Sequence, residues 1–352
     1  MSRVGALRAF ALALVLVAGA AGCASTADHV AYLEELHTED GGHSLRVRRR
    51  PTVLDSLTDL FESAERPDVE YEDLENPTAE CHETIDDVRS GTFESESVAV
   101  RAVAILCRIA DRDPSPLGRS MALSALGRLG RDAVPVVPAV NDPGSAAVPA
   151  SGHVETIIQS HDIGPPWRHR SEIEGAANAC LGAVRALSTI RFTAAGEARA
   201  VARLLASVAE FDPDPEIAAV ASAGASRTGG LALFLAIGEA MRDENESVRA
   251  EAARVAGSLR EKAFVPLLGA RLADEENVEV RRTIARSLGV LSDGRAARFL
   301  VAALGSGDEA LDLQVRLSLR DATGLSFAGP KEWKDWWRAS GEAYERGLEP
   351  AP

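Results

Sequence analysis

Lysine is almost missing from this chain. Only Lys262, Lys331 and Lys334 occur among 352 residues, so the basic side chains are nearly all arginine. Acidic residues outnumber basic ones, 53 to 38, for a net charge of −15. A surface of that sign is repelled by phosphate backbones, which argues against nucleic acid as a partner. Aromatic residues are scarce too, at 5%, although hydrophobic residues reach 46%. The apolar content is mostly Ala, Leu and Val, which favours close-packed helices over a β-sandwich. There are four cysteines and no CxxC pair, which removes a zinc ribbon or a thioredoxin-type site. GxSxG, HExxH and P-loop patterns are absent. The small-residue run 223–230 lacks the Gly-Lys-Ser/Thr ending that would cradle a phosphate, and reads as a turn between helices.

What is present is repetition. Val248-Arg249, Val280-Arg281 and Val315-Arg316 stand 32 and 35 residues apart (280 − 248 and 315 − 280), each in an Ala/Leu-rich helical pattern. A period in the thirties is left by stacked helical hairpins. Such a stack also escapes the size limit of a single core, because each repeat touches only its neighbours. An acidic turn precedes the first helix of each clear unit: Asp243-Glu244-Asn245-Glu246, then Asp274-Glu275-Glu276-Asn277. These residues can cap the helix and complement its positive end.

Those residues carry a resemblance. Asp243, Val248-Arg249, Ala252-Ala253, Gly257 and Leu259, followed by Ala263, Pro266-Leu267-Leu268 and Leu272, resemble a HEAT repeat of the short type named after phycobilisome lyases. Val280-Arg281, Ala285, Leu288-Gly289 and Leu291, then Ala296, Phe299-Leu300 and Ala303-Leu304, resemble it again. The likeness is weaker over 97–137 and 172–242, and does not cover 24–96. It implies an all-α solenoid in which Arg249, Arg281 and Arg316 pair with acidic turn residues in a structural ladder. Asp321-Ala322-Thr323-Gly324-Leu325-Ser326-Phe327 with Trp333, Trp336 and Trp337 resembles the closing segment of bacterial HEAT-repeat proteins. The three tryptophans fall on one helical face and are expected to cap the last repeat, since a solenoid end needs covering.

The N-terminus reads as an export signal. Arg3 and Arg8 precede an apolar run at 9–17 that is too short to span a bilayer. Small residues then lead directly into Cys23, which resembles the lipobox of bacterial lipoproteins, with Ala20 where that family usually has Leu. The resemblance implies cleavage before Cys23, acylation of Cys23, and a firm membrane anchor. Ala24 in the next position resembles lipoproteins sent to the outer membrane; a soluble periplasmic protein is the alternative. Three cysteines remain in the mature chain, Cys81, Cys107 and Cys180. Export permits one disulfide among them, though Cys107 and Cys180 sit in Ala-rich helical contexts that suit small core residues.

The expected organisation is a signal peptide at 1–22, a tether at 23–52, an N-terminal helical segment at 53–96, a solenoid at 97–323 and a cap at 324–352. Within the tether, the Arg cluster at 46–50 could touch anionic headgroups. Residues 53–64 show helical spacing, and the acidic stretch 67–77 reads as a loop. A Pro- and Gly-rich insertion at 135–171 interrupts the solenoid and offers a binding face. It holds His153, His161 and His169, weak candidates for a metal because widely spaced loop histidines have no pre-set geometry. No catalytic residue or cofactor is expected. The expected function is an envelope-anchored scaffold that binds protein partners. A bilin-lyase-like chaperone enzyme and a metal- or ligand-binding protein using the loop histidines are the alternatives.

Overall fold

A computed structural model describes residues 25–38, 42–44, 46–48, 71–73, 76–137, 176–189, 192–212 and 214–345. Side-chain caps set the helix starts. Ser25, Asn76, Ser95, Ser115, Asp214, Asn245, Asn277 and Asp308 each accept a backbone N–H from two or three residues downstream. That satisfies donors which a helix leaves open in its first turn. Pro77, Pro116 and Pro215 follow three of these caps at the one helical position where a missing N–H costs nothing.

The helices are α1 (Thr26–Leu36), α2 (Pro77–Ser90), α3 (Glu96–Arg112), α4 (Pro116–Asp132), α5 (Ala176–Thr189), α6 (Ala195–Phe211) and α7 (Pro215–Ala240). The second half adds α8 (Glu246–Ser258), α9 (Phe264–Asp274), α10 (Val278–Leu291), α11 (Ala297–Ala303), α12 (Glu309–Thr323) and α13 (Pro330–Glu345). They form an all-α solenoid. One row stacks α2, α4, α8, α10 and α12; α3, α7, α9, α11 and α13 lie behind it. A single core runs from Leu33 and Ile85 to Leu319 and Trp333. Two short antiparallel strands, β1 (Arg46–Arg48) and β2 (Tyr71–Asp73), are the one sheet among the described residues. Thus part of the expected acidic loop is a strand.

Helix rows approach closely through small residues. A methyl added at Gly257 on α8 would stand 2.8 Å from Ser287 Cβ on α10. One at Gly289 would stand 2.9 Å from Ser318 Cα on α12. These two contacts repeat one packing solution in successive hairpins.

Two expectations about these helices need correction. The tether expected at 23–52 contains α1, whose Val30, Leu33 and Leu36 are fully buried against α2 and α3. Its capping box at Ser25 and Asp28 supplied the start signal. The small-residue run 223–230 is no turn but the middle of α7. Gly224 meets Ser188 on α5, and Gly230 meets the Pro135 carbonyl, so small residues there let neighbours approach rather than bend the chain. Residues 215–240 are therefore one long helix and not two helices joined by a turn. By length and composition α7 could cross a membrane, yet 61% of its apolar window is buried inside the fold. The expected helix at 53–64, and Cys23, His153, His161 and His169, lie outside the described residues.

The insertion is larger than 135–171. Helices α4 and α8 pack as neighbours in the stack although residues 133–245 separate them. Between them α5 and α6 lean on α7, and α7 leads back into the row.

Candidate functional site

The acidic turns between hairpins share one local design. In four of them a carboxylate two residues before the N-cap accepts the N-cap's own backbone N–H. The pairs are Asp113 with Ser115 (2.8 Å), Asp212 with Asp214 (3.0 Å), Asp243 with Asn245 (2.8 Å) and Glu275 with Asn277 (3.0 Å). At two of these turns an arginine four residues past the N-cap then reaches the corresponding carboxylate of the next stacked hairpin. Arg249 grips both oxygens of Glu275 at 2.9 and 2.8 Å, and donates to the carbonyls of Asp243 and Glu244 in its own turn. Arg119 makes the equivalent rung through a single bond, donating to Asp243 at 2.9 Å, and donates to the Asp113 carbonyl at 2.8 Å. Bidentate guanidinium–carboxylate pairing fixes both distance and angle between turns. Burial would raise the Glu275 pKa, but the bonds from Arg249, the Asn277 amide and Arg271 outweigh it and hold the carboxyl down at about 2.

The ladder does not extend to the other two expected members. Arg281 sits four residues past Asn277, but the next turn offers Ser306 in the carboxylate's place, and the Arg281 Nε is buried without an acceptor. Arg316 sits eight residues past the cap Asp308, a turn too late, and donates to the carbonyls of Ala328 (2.7 Å) and Asp312 (3.4 Å) instead of a carboxylate.

At the other end of the row, Asp113 has no arginine rung. The position four past the α2 cap is Glu80. Two histidines from the turn after α1 face the carboxylate instead. His43 Nε2 lies 2.9 Å from Asp113 Oδ2, and His37 Nε2 lies 3.6 Å from the same oxygen. The three side chains are at most 5% exposed. An isolated bridge pairs His37 with His43, and Thr38 N donates to the Gly42 carbonyl, so the backbone holds the two rings side by side. Arg108 Nη2 clamps the His37 carbonyl at 2.6 Å. Burial pushes the His37 imidazole down to about 4, only partly opposed by the Asp113 charge, so the ring is neutral at ordinary pH. Sequence reading missed this group because Asp113 lies 70 residues from His43, although the Asp-x-cap pattern at Asp113 was there to be found.

Near this cluster a groove of about 340 Å³ opens between α1, α3 and α6, lined by Glu34, Arg108, Arg199, Arg203, Leu204 and Ser207, with Ala104, Ile105 and Ala200. Three of its residues are arginines in a strongly acidic chain. Arg101 beside it pairs with Glu34 at 2.7 Å and with Glu210 at 3.6 Å, and Arg199 with Asp111 at 3.6 Å.

Residues 235–320 match the family of HEAT repeats. That span covers α8 to α12 with the end of α7, where the Arg249 rung and the glycine contacts lie. No curated protein matches the sequence. Among solved structures, human deoxyhypusine hydroxylase in complex with glycerol aligns over 85% of this chain and 98% of that one, at 18% identity and a TM-score of 0.27. A likeness that low transfers no activity.

The segment after the HEAT match closes the stack. Gly324 ends α12 at φ +75°, a left-handed conformation that glycine adopts without strain. Thr323 Oγ1 donates to the Leu319 carbonyl and accepts from Leu325 N, which directs the chain back over the core. Phe327 then meets Trp333 edge-on, with ring centroids 4.8 Å apart, and Trp333 is buried. Trp336 and Trp337 are half-buried, and Trp336 packs edge-on against Tyr344.

Proposed function

We propose that this protein is an envelope-anchored HEAT-repeat scaffold that binds a partner protein and performs no chemistry of its own. Cys23 is the lipid anchor, and the mature chain is held on the bacterial envelope, with the outer membrane favoured. The observation that supports partner binding is the arginine-lined groove between α1, α3 and α6. Arginine is enriched in interface hot spots, and the groove's three arginines outnumber its one carboxylate, Glu34, which pairs with Arg203 at 3.5 Å, so an acidic segment of a partner is the occupant this lining favours. The Arg101–Glu34 and Arg199–Asp111 pairs tie α3 to α1 and to α6, so the groove is preorganised and little ordering entropy is lost on binding.

The test is fractionation and co-purification with two forms of the full chain. The natural form is expected in the membrane fraction with one or a few envelope proteins at near-stoichiometric yield. A Cys23→Ser form is expected in the soluble periplasmic fraction. Membrane retention of Cys23→Ser would remove the anchor from this reading, and a natural form that brings down no protein would remove the scaffold.

A further inference from the structure

The geometry points to a structural metal site of the zinc class, built from His37, His43 and Asp113, with His82 beside it as a fourth candidate ligand. A buried turn carboxylate needs a counter-charge, and at Asp243 and Glu275 an arginine supplies it. Asp113 occupies the same turn position and is fully buried, yet among the described residues no guanidinium bonds its carboxylate. One oxygen accepts the Ser115 N–H, and the other faces two imidazole Nε2 atoms. His37 leaves both of its ring nitrogens without a hydrogen-bond partner. Buried polar atoms are rarely orphaned, so a converging set of them marks a place for a ligand.

The spacing suits a transition metal. The donor atoms of His37, His43 and Asp113 all lie within 4.8 Å of one another. A tetrahedral ion with ligand bonds near 2.0–2.1 Å sets its donors about 3.3 Å apart. Two of the observed separations, 2.9 and 3.6 Å, bracket that value. Imidazole nitrogen with one carboxylate oxygen is a donor set that zinc-class ions prefer over calcium or magnesium. His82 Nε2 is buried and without a partner. A methyl at Gly118 would stand 2.7 Å from Asp113 Oδ1 and 3.1 Å from His82 Nε2, so that glycine leaves open the space between the two.

The surroundings resemble an outer shell. Thr78 Oγ1 lies 3.3 Å from His43 Nδ1 and can accept its proton, which directs the lone pair of Nε2 at the site. The side chains of His37, His43 and Asp113 are at most 5% exposed, which suits a structural ion. Its role is therefore to fasten the turn after α1 onto the α3–α4 corner, as the arginine rungs fasten later hairpins.

The test uses the purified full chain, stripped of metal, with Co²⁺ as a spectroscopic probe and Zn²⁺ as a competitor. The expected result is one Co²⁺ per chain with the intense visible bands of a tetrahedral site, displaced by Zn²⁺. Zn²⁺ should also raise the melting temperature, because it binds the folded state. His43→Gln and Asp113→Asn should each weaken Zn²⁺ by more than about 100-fold, beyond the range for outer-shell partners, and Thr78→Val by about 10-fold. Replacing His153, His161 and His169 together should leave binding unchanged. Absence of stoichiometric binding by the natural chain would overturn the site. So would binding that survives both ligand substitutions or is lost with the loop histidines. Should the two ligand variants fail to fold, Thr78→Val, whose side chain keeps its shape, decides: undiminished affinity there overturns the assignment.

Discussion

Replacing Glu275 by Gln removes one charge from the centre of the ladder and almost nothing else. The side chain is 1% exposed and holds Arg249 through two bonds, Arg271 through two more at 3.2 and 2.8 Å, and the Asn277 amide. Gln keeps the shape and one acceptor. The carboxyl is held at about 2 in the folded chain, against 4.5 as its ordinary value. A depression of that size corresponds to about 3 kcal/mol of stability at neutral pH. In urea this is a shift of the unfolding midpoint by about 1–2 M with an unchanged slope. Because the folded-state value is lowered, the stabilisation is complete above pH 4.5 and is lost as pH falls toward 2. The gap between the natural chain and Glu275→Gln should therefore be constant from pH 8 to pH 5 and narrow below it. Urea titrations followed by circular dichroism at stepped pH measure this. A gap under about 0.5 kcal/mol at pH 7, or one that does not narrow in acid, refutes the reasoning.

Two further outcomes follow from packing and burial. Gly257→Ala should cost about 1–3 kcal/mol, because its methyl would stand 2.8 Å from Ser287 Cβ and 3.0 Å from Ser287 Cα, whereas Gly196→Ala on α6, with nothing within 4 Å, should stabilise by up to about 1 kcal/mol; thermal melts of the two variants give opposite signs. Burial pushes the Cys81 and Cys107 thiols up to about 12, so neither should be alkylated in the native chain at pH 8, and both should be once it is unfolded, as read by peptide mass mapping.

The Val248-Arg249 and Val280-Arg281 echo and the α8–α11 hairpins were legible because caps, apolar spacing and acidic turns agree there. The third echo misled. Val315-Arg316 repeats the dipeptide but not its distance from the cap, and Asp312 stands where the ladder arginine belongs. Counting from Asn245, Asn277 and Asp308 puts Arg249 and Arg281 at the ladder position and Arg316 a turn beyond it, and Arg281 still lacks a rung because Ser306 stands where its carboxylate would be. The Arg119–Asp243 rung was hidden by 124 residues of intervening chain, since pairing between stacked hairpins leaves no local trace when an insertion comes between them. Helix α1 was hidden by a Gly41-Gly42 pair and an arginine run just downstream, which drew attention from a complete capping box at Ser25. The histidine cluster was beyond reach for the same reason as the Arg119 rung: His37, His43, His82 and Asp113 come together only when α1 and its turn dock on the row.

The most direct test of the scaffold account is site-specific photo-crosslinking in intact cells. One crosslinker replaces Ser207 in the arginine-lined groove, and a control replaces Arg286 on the exposed side of α10. The account predicts a single discrete adduct from position 207, absent from 286, and weakened in an Arg199→Glu/Arg203→Glu background. No adduct at 207, or the same adducts from both positions, would contradict it.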